Sequence, residues 1–118
     1  MANEITMSVV IQLAKGALAF ERSLAQIVAT MTGNAMMHAV VSVGTMKETL
    51  GLGDIVTPGM VLLLNLDAAN YIEVGTDADA PFIKLKAGEF ALFRAGGATL
   101  SAKSHTAACL LEYAVLED

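Results

Sequence analysis

The chain has 118 residues, a length typical of one domain, and a formal net charge of −5 with a pI near 4.8. The acidic balance and the scattered Lys and Arg argue against a nucleic-acid-binding protein, which would need a basic stripe to contact phosphates. Hydrophobic residues make up 55% and charged residues only 16%, and no apolar run reaches the roughly 18 residues of a membrane span, so we expect a homo-oligomer whose interface holds the apolar excess.

The N-terminal segment ITMSVVIQL alternates between two faces and predicts a strand. Gly16 permits a tight turn, ALAFERS predicts a second strand, and LAQIVATM, ambiguous between a short helix and a strand, is assigned to a strand because of its β-branched residues. The alternation places five side chains of the first strand on one face. We predict that they form a candidate interface, with an ordinary interior strand as the alternative: Ile5, Met7, Val9, Ile11 and Leu13.

The segment AMMHAVVSVGT predicts a strand ending at Gly44, with Met36 and Met37 on opposite faces and both assigned to the candidate interface. KETLGLGDIVTPG is rich in Gly and predicts a long loop, in which residues 48–52 can form one helical turn. MVLLLNL predicts a strand buried on both faces, DAAN a turn, and YIEVG the returning hairpin partner.

The rest of the chain repeats this pattern of short apolar segments separated by Gly, Asn and Asp: FIKL, KAGE, EFALFRA, GGA, TLSAKS and AACLLEYAVLE. Nine or ten short strands and no long helical pattern predict an all-β fold, an antiparallel β-sandwich or β-barrel that is jelly-roll-like. We expect one β domain over residues 1–118, made in the cytoplasm because no secretory signal is evident and Cys109 is the sole cysteine.

No pattern of residues predicts catalysis, a metal or a cofactor. The two histidines have no metal-ligand spacing, Ser104 beside His105 lacks a nucleophile motif, and Cys109 lacks a basic neighbour. Acidic turns could gather around a calcium ion through Asp54, Asp67, Asp77 and Asp79, but side chains bonding their own backbone explain the same residues with no extra assumption. We therefore assign a turn role to Asp54, Pro58, Gly59, Asp67, Asn70 and Gly88.

From Leu52 onward the chain resembles a group of small virion-associated proteins of tailed bacteriophages. The resemblance is carried by LGD, PG, an apolar strand into NLD, then NYI, LKAGEF and FR, and a closing apolar strand with acids at its end. It covers about the C-terminal two-thirds of the chain, whereas the Ala- and Met-rich N-terminal part departs from it.

The resemblance implies a non-enzymatic structural protein located in the virion. The chain is similar in size and composition to capsid decoration (cement) proteins, which are small acidic β proteins that bridge capsomers, often as trimers. The implied partners are other copies of the chain and the major capsid protein or another virion protein, with no nucleic acid and no membrane. A tail or head-tail connector component is the alternative within this class, and a small ligand- or sugar-binding β-barrel is the alternative of another class.

Overall fold

A computed structural model describes residues 3–76, 80–96 and 99–118. In these residues every regular element is a β-strand and every strand pairing is antiparallel. The strands are β1 (Ile5–Lys15), β2 (Leu18–Ala29), β3 (Met36–Val43), β4 (Glu48–Thr49), β5 (Pro58–Asn65), β6 (Ile72–Gly75), β7 (Ile83–Leu85), β8 (Phe90–Arg94), β9 (Ser101–Ser104) and β10 (Cys109–Glu117). The all-β prediction is confirmed.

The chain divides into two compact units, Met1–Thr32 and Gly33–Asp118. The first unit is a two-stranded hairpin in which β1 pairs with β2 along nearly its whole length. Gly16 has a φ of 56°, which suits the first position of a type II′ turn. Opposite Ser8, β2 carries an extra residue, and Gln26 takes a φ of 56° there while its amide donates to the Ser8 hydroxyl.

The second unit consists of two four-stranded sheets. Sheet I has the strand order β3-β10-β5-β8 and sheet II the order β4-β9-β6-β7. Along the chain, most connections therefore pass from one sheet to the other, which is the arrangement of a jelly-roll sandwich. The described strands form an open sandwich rather than a closed barrel, so the sandwich form of the prediction is the one confirmed.

The core of this unit lies between the inner faces of the two sheets. Sheet I contributes Val43, Val61, Leu63, Leu111, Tyr113 and Val115, and sheet II contributes Ile72, Val74, Leu85 and Ala102. Tyr113 is the largest of the fully buried side chains, and its hydroxyl donates a 2.7 Å hydrogen bond to the Gly51 carbonyl. This bond ties the loop before β5 to the centre of sheet I.

The loop predicted for residues 47–59 is shorter than expected. Its proposed helical turn at residues 48–52 is wrong, because Glu48 and Thr49 pair with β9 as strand β4. Pro58 and Gly59, predicted as a turn, begin strand β5, where Pro58 stands opposite Glu117 and the next two residues of β5 form a bulge opposite Leu116. A proline is tolerated at the first residue of a strand because the ladder there does not need its amide.

The segment MVLLLNL, most of which lies in β5, was predicted to be buried on both faces, and this prediction is also wrong. Val61 and Leu63 are fully buried, whereas Leu62 between them is 39% exposed. The expected hairpin between β5 and the next strand is wrong too, since β5 pairs with β10 and β8 in sheet I while β6 lies in sheet II. The turn between them carries the chain from one sheet to the other.

Asn65 holds this crossing in place. Its side-chain amide donates to the carbonyls of Asn70 (2.9 Å) and Leu85 (3.0 Å), and its side-chain oxygen accepts from the amide of Asp67 (2.9 Å). The residue is fully buried, yet its polar side-chain atoms all have partners. Such a saturated polar group fixes local geometry because any other path of the chain would leave it unpaired.

Candidate functional site

The hairpin has one apolar face. In an antiparallel ladder, paired residues lie on the same face, so the register gathers the five predicted interface residues of β1 with the side chains opposite them. The hairpin apolar face consists of Ile5, Met7, Val9, Ile11, Leu13, Lys15, Leu18, Phe20, Arg22, Leu24, Ile27 and Ala29. All but Lys15 and Arg22 are apolar. The alternation predicted from the sequence is therefore present, and it continues onto β2.

Much of this face is open to solvent in the single chain. Ile11 is 55% exposed, Leu13 46%, Leu18 63% and Phe20 54%. The opposite face of the hairpin carries Thr6, Ser8, Gln12, Glu21 and Ser23 among a few small or β-branched residues. A two-stranded hairpin has no second layer of its own against which such an apolar face can pack.

A second apolar surface covers the outer face of sheet I. One row crosses its four strands as Val40, Glu112, Leu64 and Phe90, and the next as His38, Ala114, Leu62 and Leu92. With Met36, Leu110 and Leu116 beyond these rows, the sheet I outer face is apolar except near its middle, at Ser42 opposite Leu110, and at one corner. Val40 is 53% exposed, Phe90 57% and Met36 63%.

Met36 and Met37 lie on opposite sides of sheet I. Both were assigned to the candidate interface, but only Met36 belongs to the sheet I outer face, whereas Met37 points inward and packs against the core. Neighbouring residues of a strand face opposite sides, so the two adjacent methionines cannot both reach one outer surface.

The polar group in the middle of the sheet I outer face is a pair. His38 Nε2 lies 2.8 Å from Glu112 Oε2, with the two side chains 55% and 30% exposed. The corner is occupied by a second pair, Arg94 with Asp118 at 3.2 Å. Glu112 therefore places a carboxylate near the middle of a mostly apolar surface.

The outer face of sheet II has the opposite character. Glu73 stands between Lys84 and Lys103 on the neighbouring strands. Lys84 Nζ lies 4.1 Å from the centre of the Tyr71 ring, and the ring of Tyr71 stacks on His105 with centroids 4.5 Å apart. This charged and aromatic face is normal for solvent contact, so the apolar excess of the sandwich is concentrated on only one of its sides.

Asp67 has the geometry of a backbone turn. Its carboxylate accepts hydrogen bonds from the amides of Asn70 (2.7 Å) and Ala69 (3.0 Å). These bonds hold the pKa of Asp67 below its ordinary value, the Asn70 amide having the larger effect. Both of these amides are local, which is what a residue that bends the chain requires.

The other predicted turn residues lie in two places. Asp54 follows Gly53, whose φ is 60°, in the turn before β5. Gly88 has a φ of 79° in the turn between β7 and β8, where the Glu89 amide donates to the Lys86 carbonyl. A positive φ at the third position of such a turn favours glycine.

The residues with reactive groups are held in structural contacts. The Ser104 hydroxyl donates to the Ala107 carbonyl at 2.6 Å, and the buried Cys109 thiol lies 3.5 Å from the same oxygen. Burial raises the pKa of Cys109, and the nearby Asp67 carboxylate raises it further. Among the described residues, no three His, Cys, Asp or Glu side chains are close enough to hold a metal ion, while Asp77 and Asp79 lie outside the described residues.

An open apolar groove of about 570 Å³ lies at one end of the sandwich. Its lining includes Val74, Phe82, Ile83, Phe93 and Leu100, together with Arg94. Phe82 is 94% exposed, so its ring is available to a binding partner. Small-molecule sites usually combine such an apolar lining with several polar groups that fix the ligand, and Arg94 is already paired with Asp118.

Comparison with protein families, with curated proteins and with solved structures finds no match. No helix in the described part of the chain is long and apolar enough to cross a membrane.

Sequence reasoning missed the sheet I outer face and two of the charges that lie within the apolar surfaces, Arg22 and Glu112. Arg22 stands opposite Ile11 in the hairpin register, and Glu112 stands between Val40 and Leu64 in sheet I. The alternation of LEYAVLE does place Glu112 on the face opposite Tyr113, which was the available signal. Which strands flank it depends on long-range pairing, and local patterns carry no information on that.

Proposed function

We propose that this chain is a non-enzymatic structural protein of a tailed-bacteriophage virion, and within that class a capsid decoration protein that stabilises the head by bridging capsomers. The observation that carries the proposal is the pair of exposed apolar surfaces on a small β body. An assembly protein needs such surfaces, because burial of apolar area is the main favourable term in protein association.

The uneven distribution of polarity supports a role at an interface between proteins. Sheet II carries Lys84, Lys103 and Glu73 outward, whereas sheet I carries Leu62, Phe90 and its other apolar residues outward. A soluble protein that acts alone rarely leaves the outer face of a whole sheet apolar. In this proposal sheet II faces solvent, and sheet I and the hairpin apolar face lie against other protein.

The fold and the sequence resemblance point in the same direction. Jelly-roll sandwiches occur in viral capsid proteins as well as in lectins and cupins, so the fold alone is an analogy about role. The sequence resemblance to small virion-associated proteins favours the first of these. Edge strands β3 and β8 of sheet I offer further backbone groups to a neighbouring virion protein.

A tail or head-tail connector component uses the same surfaces and is the alternative within this class. The groove with Phe82 at its rim favours a second class, a small ligand- or sugar-binding protein. Calorimetric titration with apolar ligands and simple sugars tests that class, with Phe82→Ala as the variant that removes the exposed ring. Saturable binding lost in the variant would favour it over a virion role.

Quantitative mass spectrometry of gradient-purified virus particles tests the proposal itself. We expect peptides of this chain at a copy number that is a fixed fraction of the major capsid protein. Particles that lack the chain while the infected-cell lysate contains it would refute a virion role. A copy number of only a few per particle would move the protein from the capsid surface to the connector or tail.

A further inference from the structure

We propose that the hairpin apolar face of one copy packs on the sheet I outer face of another copy, with Arg22 of the first copy paired to Glu112 of the second. This inference rests on the proposed function as an assembly protein and specifies which surfaces self-associate. The occupant of the sheet I outer face is thus a second copy of this chain.

The hairpin needs a partner for its apolar face. Isolated two-stranded hairpins are marginally stable in water, and this one leaves Ile11, Leu18 and Phe20 more than half exposed. Its strands β1 and β2 are also the longest of the described strands, with 11 and 12 residues. A long apolar ribbon of this kind becomes ordered when its face is covered by a second layer.

The sheet I outer face has the dimensions of that layer. Four strands span roughly 19 Å across, and the nine residues of β10 extend for about 30 Å, whereas the hairpin is about 10 Å wide and about 36 Å long. The hairpin therefore fits along the strands of sheet I as a third layer. Side chains of two such faces interdigitate at the usual spacing of about 10 Å.

The charges on the two apolar faces favour one of the possible pairings between them. Arg22 has no ion-pair partner among the residues that the structure describes, and a guanidinium buried without one would be costly. Two hairpins packed face to face would bring two Arg22 side chains together, and two sheet I faces would bring two Glu112 side chains together. The pairing of hairpin with sheet instead brings Arg22 toward a carboxylate, that of Glu112, which lies 2.8 Å from His38.

The surface given in this pairing differs from the surface received. Each copy donates one hairpin and receives one, so two copies can exchange hairpins in a closed dimer, or more copies can close into a ring. At the area per residue of ordinary interfaces, the twelve residues of the hairpin apolar face bury roughly 400 Å² on each side. In a dimer that exchanges hairpins, giving and receiving one hairpin brings each copy to roughly 800 Å², the size of a standard stable interface.

Charge reversal tests the pairing by sedimentation velocity on the whole chain over a range of micromolar concentrations. We expect the unaltered chain to sediment as a closed oligomer. Arg22→Glu and Glu112→Arg should each raise the dissociation constant by roughly 100-fold, because like charges then face each other in an apolar setting. The double variant Arg22→Glu/Glu112→Arg should recover association to within about 10-fold of the unaltered chain.

Mixing the two single variants separates packing between copies from packing within one chain. The carboxylate that Arg22→Glu places on one hairpin complements the guanidinium that Glu112→Arg places on the sheet of the other variant. An equimolar mixture should therefore form heterodimers although neither variant self-associates. If the hairpin instead covers sheet I of its own chain, mixing produces no new species. That result, or association of both single variants at the unaltered strength, would overturn the inference.

Two adjacent residues of β1 supply a matched control that does not depend on charge. Ile11 and Val10 are 55% and 60% exposed and lie on opposite faces of the hairpin. Ile11→Ser should weaken association by roughly 10-fold or more, since it removes an apolar contact from the proposed interface, whereas Val10→Ser should leave it unchanged. Equal effects of the two changes would contradict the assigned face, and circular dichroism verifies that both variants keep their β content.

The inference would also be overturned if the unaltered chain stayed monomeric at roughly 100 µM. At that concentration a complex with a dissociation constant of about 10 µM or less is mostly formed. The virion proposal is judged separately, by whether particles contain the chain. A chain that associates through other surfaces yet occurs in particles would leave the virion role standing and remove only the pairing of hairpin with sheet.

Discussion

Replacing Asn65 with alanine tests whether the crossing between the two sheets depends on one buried amide. The change removes hydrogen bonds to Asn70 and Leu85 and from Asp67, and leaves their backbone groups without these partners. A buried group left unpaired costs about 1–3 kcal/mol, and the bond to Leu85 is the most deeply buried of the three. We therefore expect the free energy of unfolding to fall by about 3–5 kcal/mol, a large part of the roughly 5–15 kcal/mol of a typical domain.

Urea denaturation followed by far-UV circular dichroism at one fixed protein concentration measures this loss, since oligomerisation makes apparent stability depend on concentration. Asn34→Ala is the control, because Asn34 is exposed and contributes its backbone amide to a hydrogen bond with Glu117, which alanine keeps. We expect this control to change stability by less than about 0.5 kcal/mol. Equal, small effects of the two substitutions would show that the buried amide does not hold the crossing.

Three further predictions concern the turns and the thiol. Asp67→Ala should weaken folding and leave self-association unchanged. Because the folded pKa of Asp67 is depressed, its contribution to stability is present above the ordinary pKa of 3.8 and is lost as the pH falls through the folded pKa. The variant should therefore have a flatter acid-unfolding curve, and an unchanged curve would refute this. Gly88→Ala should destabilise by about 1 kcal/mol because of the φ of 79°, whereas Gly96→Ala, with equally open surroundings, should be neutral or slightly stabilising in the same denaturation assay. Cys109 should resist a thiol reagent in the native state and react at the rate of unfolding, so rapid native labelling would contradict its burial.

The sequence determined the faces of strands well where the pattern alternates. The alternation of β1 predicted its apolar face, and the alternation of β3 predicted that Met36 and Met37 lie on opposite faces. Strand alternation depends on local geometry alone, since successive side chains point to opposite sides of any strand. For this reason such faces can be assigned before the partner strands are known.

Strand partners depend on contacts far apart in the sequence, and they account for the errors. Leu62 and Leu64 extend an apolar run that looks buried on both sides, yet they face outward because sheet II covers only the inner face of sheet I. The turn at Asp67 has the same local hydrogen bonds in a hairpin as in a crossing between sheets, so its chemistry could not tell the two apart. Thr49 lies in strand β4 because it pairs with Ser101 of β9, and the local sequence does not indicate this pairing.

The candidate surfaces were likewise predictable only where a single strand defines them. The five β1 residues were predicted as one apolar face, but their continuation onto β2 required the register that places Phe20 opposite Leu13. The sheet I outer face combines residues from four strands between Met36 and Leu116, so it exists only once the strand order is known. Arg22 and Glu112 gained significance only from their surroundings on these two faces.

The most direct test of the virion role is immunogold labelling of purified virus particles with an antibody raised against this chain, viewed by electron microscopy. The account predicts label spread over the heads, because a decoration protein lies on the outer capsid surface. Label confined to the neck or tail would transfer the protein to the connector alternative. Particles without label, under conditions in which the antibody binds the purified chain, would contradict the virion role.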